Sequence, residues 1–109
     1  MYEVFFSSSF KKELKHIAKK HRQILKDINQ LVDDLARNPT MGKDLGQNIY
    51  KIRLSISGTS KGKSGGARVI TYVKITQSSV VLAEIYLKNE YDTANVDVVI
   101  KRLIEDGFI

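Results

Sequence analysis

Tyr2-Glu3-Val4-Phe5-Phe6 opens the chain as a short apolar and aromatic run closed by Ser7-Ser8-Ser9. That pattern predicts a buried strand followed by helix-capping serines. From Phe10 the period lengthens. Phe10, Leu14, Ile17 and Ala18 recur at helical spacing, and Lys11, Lys12, Lys15, Lys19 and Lys20 fill the other face with only Glu13 opposed to them. A second stripe follows in Ile24, Leu25, Ile28, Leu31, Val32 and Leu35. It stops at Asn38-Pro39, because the residue before proline is pushed out of the helical region. With a break near Lys20-His21-Arg22, residues 8–37 are expected to form a helical hairpin, each helix with one apolar face to bury on a sheet.

Residues 39–48 (PTMGKDLGQN) are rich in turn formers and predict a connector. Beyond them the period drops to two. Tyr50, Ile52, Leu54 and Ile56 alternate with Ile49, Lys51, Arg53 and Ser55, so one strand has an apolar face and a face carrying two cations. Ala67 to Ile75 is nearly all apolar or β-branched and predicts a central strand, with Arg68 near its start and Tyr72 on the same parity. Ser78-Ser79 predicts a turn, and Val80 to Leu87 a further strand ending in Lys88-Asn89-Glu90. Asp92 or Thr93 can cap a last helix whose apolar positions are Val96, Val99, Ile100, Leu103 and Ile104, with Gly107 ending it. The expected order is β-α-α-β-β-β-α: an α+β domain spanning 1–109, its small antiparallel sheet a meander of three successive strands packed on the hairpin.

Charge changes this picture most between residues 45 and 83. Lys51, Arg53, Lys61, Lys63, Arg68 and Lys74 lie there, and no acid stands between Asp44 and Glu84. Residues 84–109 reverse the balance, with three basic and six acidic side chains, and the whole chain carries +6. A basic middle interleaved with strand residues implies a surface for polyanion phosphates. The absence of cysteine excludes disulfides, thiolate nucleophiles and Cys-based metal sites, and fits a reducing cytoplasm. No apolar run approaches the roughly 18 residues of a membrane span, and the N-terminus lacks the basic region and cleavage site of a signal peptide. A cytoplasmic location is therefore expected.

The loop Gly58 to Gly66 contains Gly62-Lys63-Ser64 but not a phosphate-loop pattern. Ser57 stands where the first glycine belongs, and a strand follows instead of a helix. Lys61 and Lys63 are instead candidates for gripping a nucleic-acid backbone. Arg53 and Arg68, on successive strands, are candidates for stabilising the charge that develops when a phosphodiester is attacked, since guanidinium groups match phosphate oxygens and stay charged. Two roles are open to Glu90: general base toward a ribose 2′-hydroxyl, or a partner orienting Arg53 or Arg68, because surrounding cations make a carboxylate a weaker base. Lys88 is a candidate electrostatic partner or proton donor, and Tyr91 a candidate for base stacking. His16 and His21, five apart on the hairpin, do not have helical metal-pair spacing and read as surface residues.

The Leu-Gly connector, Tyr50-Lys51-Ile52-Arg53-Leu54, the Lys-Gly-Lys-Ser-Gly-Gly loop, Ala67-Arg68-Val69-Ile70 and Ile85-Tyr86-Leu87-Lys88-Asn89-Glu90 together resemble the RelE/ParE toxin superfamily, and within it the HigB-like branch. The likeness covers nearly the whole chain. It implies the toxin of a bacterial type II toxin–antitoxin pair that enters the ribosome and cuts mRNA by 2′-hydroxyl attack, with no metal or cofactor. It implies an antitoxin partner, commonly of helix-turn-helix type in the HigB-like branch. Lys51, Arg53 and Arg68 match the family's cationic sheet face, Lys61 and Lys63 the basic loop, and Lys88, Asn89 and Glu90 the branch's ending. The chain departs from several RelE members where they place an arginine and then a catalytic tyrosine. Asn89 stands at the first position and Asn95 near the second, with Tyr91 the nearest substitute. ParE-like relatives share the fold but poison DNA gyrase.

Overall fold

The computed structural model describes residues 1–57, 66–88 and 94–109. Strand β1 (Glu3–Phe6) leads into helices α1 (Ser8–Ala18) and α2 (Ile24–Arg37). A two-residue strand β2 (Lys43–Asp44), then β3 (Ile49–Leu54), β4 (Ala67–Lys74) and β5 (Ser79–Leu87) complete the sheet, and helix α3 (Val96–Glu105) follows. The hairpin forms where the apolar period placed it. Ser7 caps α1 through its hydroxyl, which accepts from the Phe10 N–H at 3.0 Å and donates to the Ala83 carbonyl at 2.7 Å. One side chain thereby ties the helix start to β5. Pro39 follows α2 as expected, with the last helical residue at Arg37.

The strand order is β1-β5-β4-β3-β2. The meander of β3, β4 and β5 is antiparallel, as the alternation predicted, with a bulge that leaves Ala83 between the pairs Ile70–Glu84 and Thr71–Leu82. Two features lie beyond that expectation. Strand β1 joins the outer edge of β5 in parallel, so the sheet is mixed rather than wholly antiparallel. The turn-rich connector contributes β2, which pairs Lys43 with Lys51 and Asp44 with Tyr50. The cap of α3 also differs from the two residues named for it. Asn95 takes that place, its side chain accepting from the Val98 N–H at 3.2 Å, while Asp92 and Thr93 lie outside the described residues.

Alternation along the strands divides the interior in two. Ile52, Ala67, Val69, Val80, Leu82 and Ile85 pack with Phe10, Ile17, Ile24, Ile28, Leu31 and Leu35 of the hairpin. On the opposite side Ile49, Ile70, Val81, Ala83 and Tyr86 pack with Val99 and Leu103 of α3. At roughly 1.5–3 kcal/mol for each fully buried large aliphatic or aromatic side chain, these two layers are the main favourable contribution to the fold. Helix α3 is also pinned around its C-terminal end. Arg102 meets Glu84 at 2.6 Å, the Asp106 carboxylate accepts from the Ser8 N–H at 2.8 Å, and the Lys74 ammonium donates to the Phe108 carbonyl at 2.7 Å.

Candidate nucleic-acid interface

The face of the sheet under α3 changes character along its strands. Its first row, Phe5–Val81–Tyr72–Ile49, is aromatic and aliphatic, and Phe108 lies against Phe5 with ring centroids 6.3 Å apart. The next row is Glu84–Ile70–Lys51 and continues onto Lys43 of β2. The third is Tyr86–Arg68–Arg53. Arg53 and Arg68 are therefore direct cross-strand partners on one face. The Val73 N–H donates to Asn48 at 2.9 Å, and alternation from that bond makes Arg53–Arg68 a pair without mutual backbone bonds, the type in which side chains stand closer.

Like charges directly opposed across strands are destabilising, and here the arrangement occurs twice, at Arg53–Arg68 and Lys43–Lys51. Four nearby acids among the described residues are engaged elsewhere. Asp27 accepts from the Ser57 N–H at 2.8 Å and from the Ser57 hydroxyl. Asp34 meets Arg37 at 3.6 Å and Gln30 at 3.1 Å, Asp44 accepts from the Gly46 N–H at 2.7 Å, and Glu84 holds Arg102. No ion pair among the described residues involves Lys43, Lys51 or Arg53. A cleft of about 430 Å³ runs along this edge, lined by Met41, Gly42, Lys43, Lys51, Ile52 and Arg53. Its chemistry suits an anion: three cations without carboxylate partners among the described residues, beside an apolar floor.

The two arginines have unequal access. Arg53 is exposed, whereas Arg68 is 2% exposed and donates to the Ala67 carbonyl at 3.1 Å. Its charged head is thus held below the surface beside Tyr86, itself buried against Val99 and Leu103. Lys51 is half-buried on the same face as Arg53. Lys88 is half-buried at the end of β5, where its N–H donates to the Gly66 carbonyl at 3.0 Å and closes the strand ends around the basic row. Lys61, Lys63, Asn89, Glu90 and Tyr91 lie outside the described residues.

Sequence reasoning missed Lys43 and Tyr86 as neighbours of this row. Tyr86 was recoverable from its parity, since it shares a face with Arg68 once β4 and β5 are paired. Lys43 was not, because a two-residue strand inside a turn-rich connector shows no alternation.

An α+β sheet carrying a hairpin on one face and a C-terminal helix beside a cationic row on the other defines the RelE-like toxin fold. A family model described as the ParE toxin of the type II toxin–antitoxin system, parDE, matches residues 4–88, and the chain belongs to that family, within the RelE/ParE superfamily. Among solved structures, the isolated E. coli RelE toxin is 22% identical with a TM-score of 0.59, covering 94% of this chain and 99% of its own. A chain of the intact E. coli RelBE toxin–antitoxin complex is 24% identical with a TM-score of 0.55, the match covering 78% of this chain and 94% of that one. These likenesses establish the fold. A search of curated proteins found no match. Among the described residues, no helix is long and apolar enough to cross a membrane.

Proposed function

We propose that this chain is a cytoplasmic toxin of the HigB-like branch that cleaves translated mRNA on the ribosome, and that an antitoxin neutralises it. The observation that carries the reading is the Arg53–Arg68 pair, flanked by Lys51, on a face where Lys51 and Arg53 have no carboxylate partner among the described residues. Lys51 and Arg53, with no described carboxylate to answer them, are cations that the phosphates of an RNA strand would meet. In the reaction the ribose 2′-oxygen bonds to the adjacent phosphorus and the bond from phosphorus to the 5′-oxygen breaks. The products are a 2′,3′-cyclic phosphate and a 5′-hydroxyl.

Negative charge builds on the non-bridging oxygens as the 2′-oxygen attacks. Arg53 meets it from the solvent side. Arg68, already desolvated and fixed by the sheet, contributes a donor that needs little reorganisation, which is where electrostatic stabilisation is most effective. Lys51, Lys61, Lys63 and Asn89 hold the RNA backbone, and Tyr91 stacks on a base. The 2′-hydroxyl proton passes to Glu90, and Lys88 gives one to the departing 5′-oxygen. The likeness to a chain of the E. coli RelBE toxin–antitoxin complex supports an antitoxin partner, and the HigB-like resemblance implies one of helix-turn-helix type.

A second reading is favoured by one observation, the match to the ParE toxin model: a gyrase inhibitor, or a toxin-fold binder without catalysis. Mapping mRNA 5′ ends after induced expression separates the two. In-frame cuts within translated codons, abolished with growth arrest in the Arg53→Ala, Arg68→Ala double variant, are expected for the nuclease. An SOS response without such cuts would establish the gyrase reading, and full toxicity in the double variant would remove both arginines from the mechanism.

A further inference from the structure

We propose that Lys43, set in place by Gly42, is a further RNA-binding residue, so that the bound strand crosses the sheet from the β2 edge through Lys51 and Arg53 toward Arg68. The inference rests on the RNA reading above and adds to it a residue and a direction. Lys43 is exposed, faces Lys51 across the β2–β3 pair and lines the same cleft as Arg53. Its repulsion with Lys51 repeats one row away from that of Arg53 with Arg68. A continuous track of cations, of which Lys43, Lys51 and Arg53 have no acid partner among the described residues, matches a continuous anion better than a single phosphate.

Gly42 explains how so short a strand holds its position. It adopts φ +99°, and a Cβ there would stand 2.6 Å from the Lys51 carbonyl oxygen and 2.8 Å from Ile52 Cγ1. The chain before Lys43 thus presses directly on β3, an approach only glycine permits. Any side chain at 42 has to push β2 away and carry Lys43 off the row. The competing explanation is that Lys43 merely guards an exposed sheet edge against pairing, a common use of lysine. In that case its removal would alter self-association and leave RNA binding untouched.

The test uses the full chain and a 2′-O-methyl RNA oligonucleotide, which cannot be cleaved, with binding followed by fluorescence anisotropy over a salt titration. Each phosphate neutralised on a single strand contributes about 0.7 to the slope of log affinity against log salt. Lys43→Gln is expected to weaken binding and lower that slope by about 0.7, with Lys43→Arg restoring both. Gly42→Val, which keeps the lysine, is expected to reproduce the loss in protein that still melts cooperatively. If Lys43→Gln binds as the wild type does while Arg53→Gln binds more weakly, the inference is overturned and the proposed function stands. If the wild type does not bind the oligonucleotide, or Arg53→Gln also leaves the slope unchanged, this inference is overturned, while cleavage on the ribosome is decided separately by the mapping of mRNA 5′ ends.

Discussion

The two faces of the sheet are built from the same strands by the same alternation, yet they serve different ends. The hairpin face is mostly apolar, with Thr71 a buried polar position on it, and Phe10, Ile24 and Leu35 packed against it are wholly out of water. The α3 face is apolar for only part of the way. Ile49, Ile70, Val81 and Ala83 are covered by α3, and beyond them come Lys51, Arg53 and the buried Arg68. One face is fully committed to stability. On the other, a ten-residue helix packs with the apolar positions, Ile70 and Tyr86 of the mixed rows among them, and leaves Lys51 and Arg53 beside it. A stable fold thereby carries a patch of repelling cations, because the opposite face supplies most of the burial.

The sharpest way to break this comparison is to cut the two cores separately. Phe10→Ala is expected to cost about 3–5 kcal/mol in denaturant unfolding, whereas Leu103→Ala under α3 should fall near the lower end of the 2–5 kcal/mol range. Equal losses would mean that both faces stabilise alike. Ser7→Ala removes a cap and strands the Ala83 carbonyl, and should cost about 1–2 kcal/mol by the same measurement.

Thr71 tests the quality of the interior at the bulge. Its hydroxyl is fully buried without a hydrogen-bond partner. Thr71→Val should therefore raise stability by about 1 kcal/mol, and a loss would show that the hydroxyl is satisfied in solution. The smallest effect belongs to the cationic face. Arg53→Gln relieves a like-charge pair and should leave stability unchanged or raise it by about 0.5 kcal/mol, while toxicity falls. A marked loss of stability would recast Arg53 as a structural residue.

The hairpin and the central strands were legible because helical and strand periods are local properties, written into neighbours a few residues apart. The apolar face of Ile52 and the charged face of Lys51 and Arg53 follow from that alternation alone. So does the shared parity of Arg68 and Tyr72. The proline after α2 and the serine before α1 are also short-range signals.

What the chain's local pattern leaves open is everything that depends on which distant segments meet. Whether Arg53 faces Arg68 depends on the register of β3 against β4, since a slip of one residue would turn one of them to the hairpin side. The parallel docking of Phe5 beside Val81, the pairing of Lys43 with Lys51 and the burial of Arg68 beside Tyr86 are likewise settled by non-local packing. Periodicity tells a side chain which way to turn from its own strand; only the closed sheet determines what it will find there.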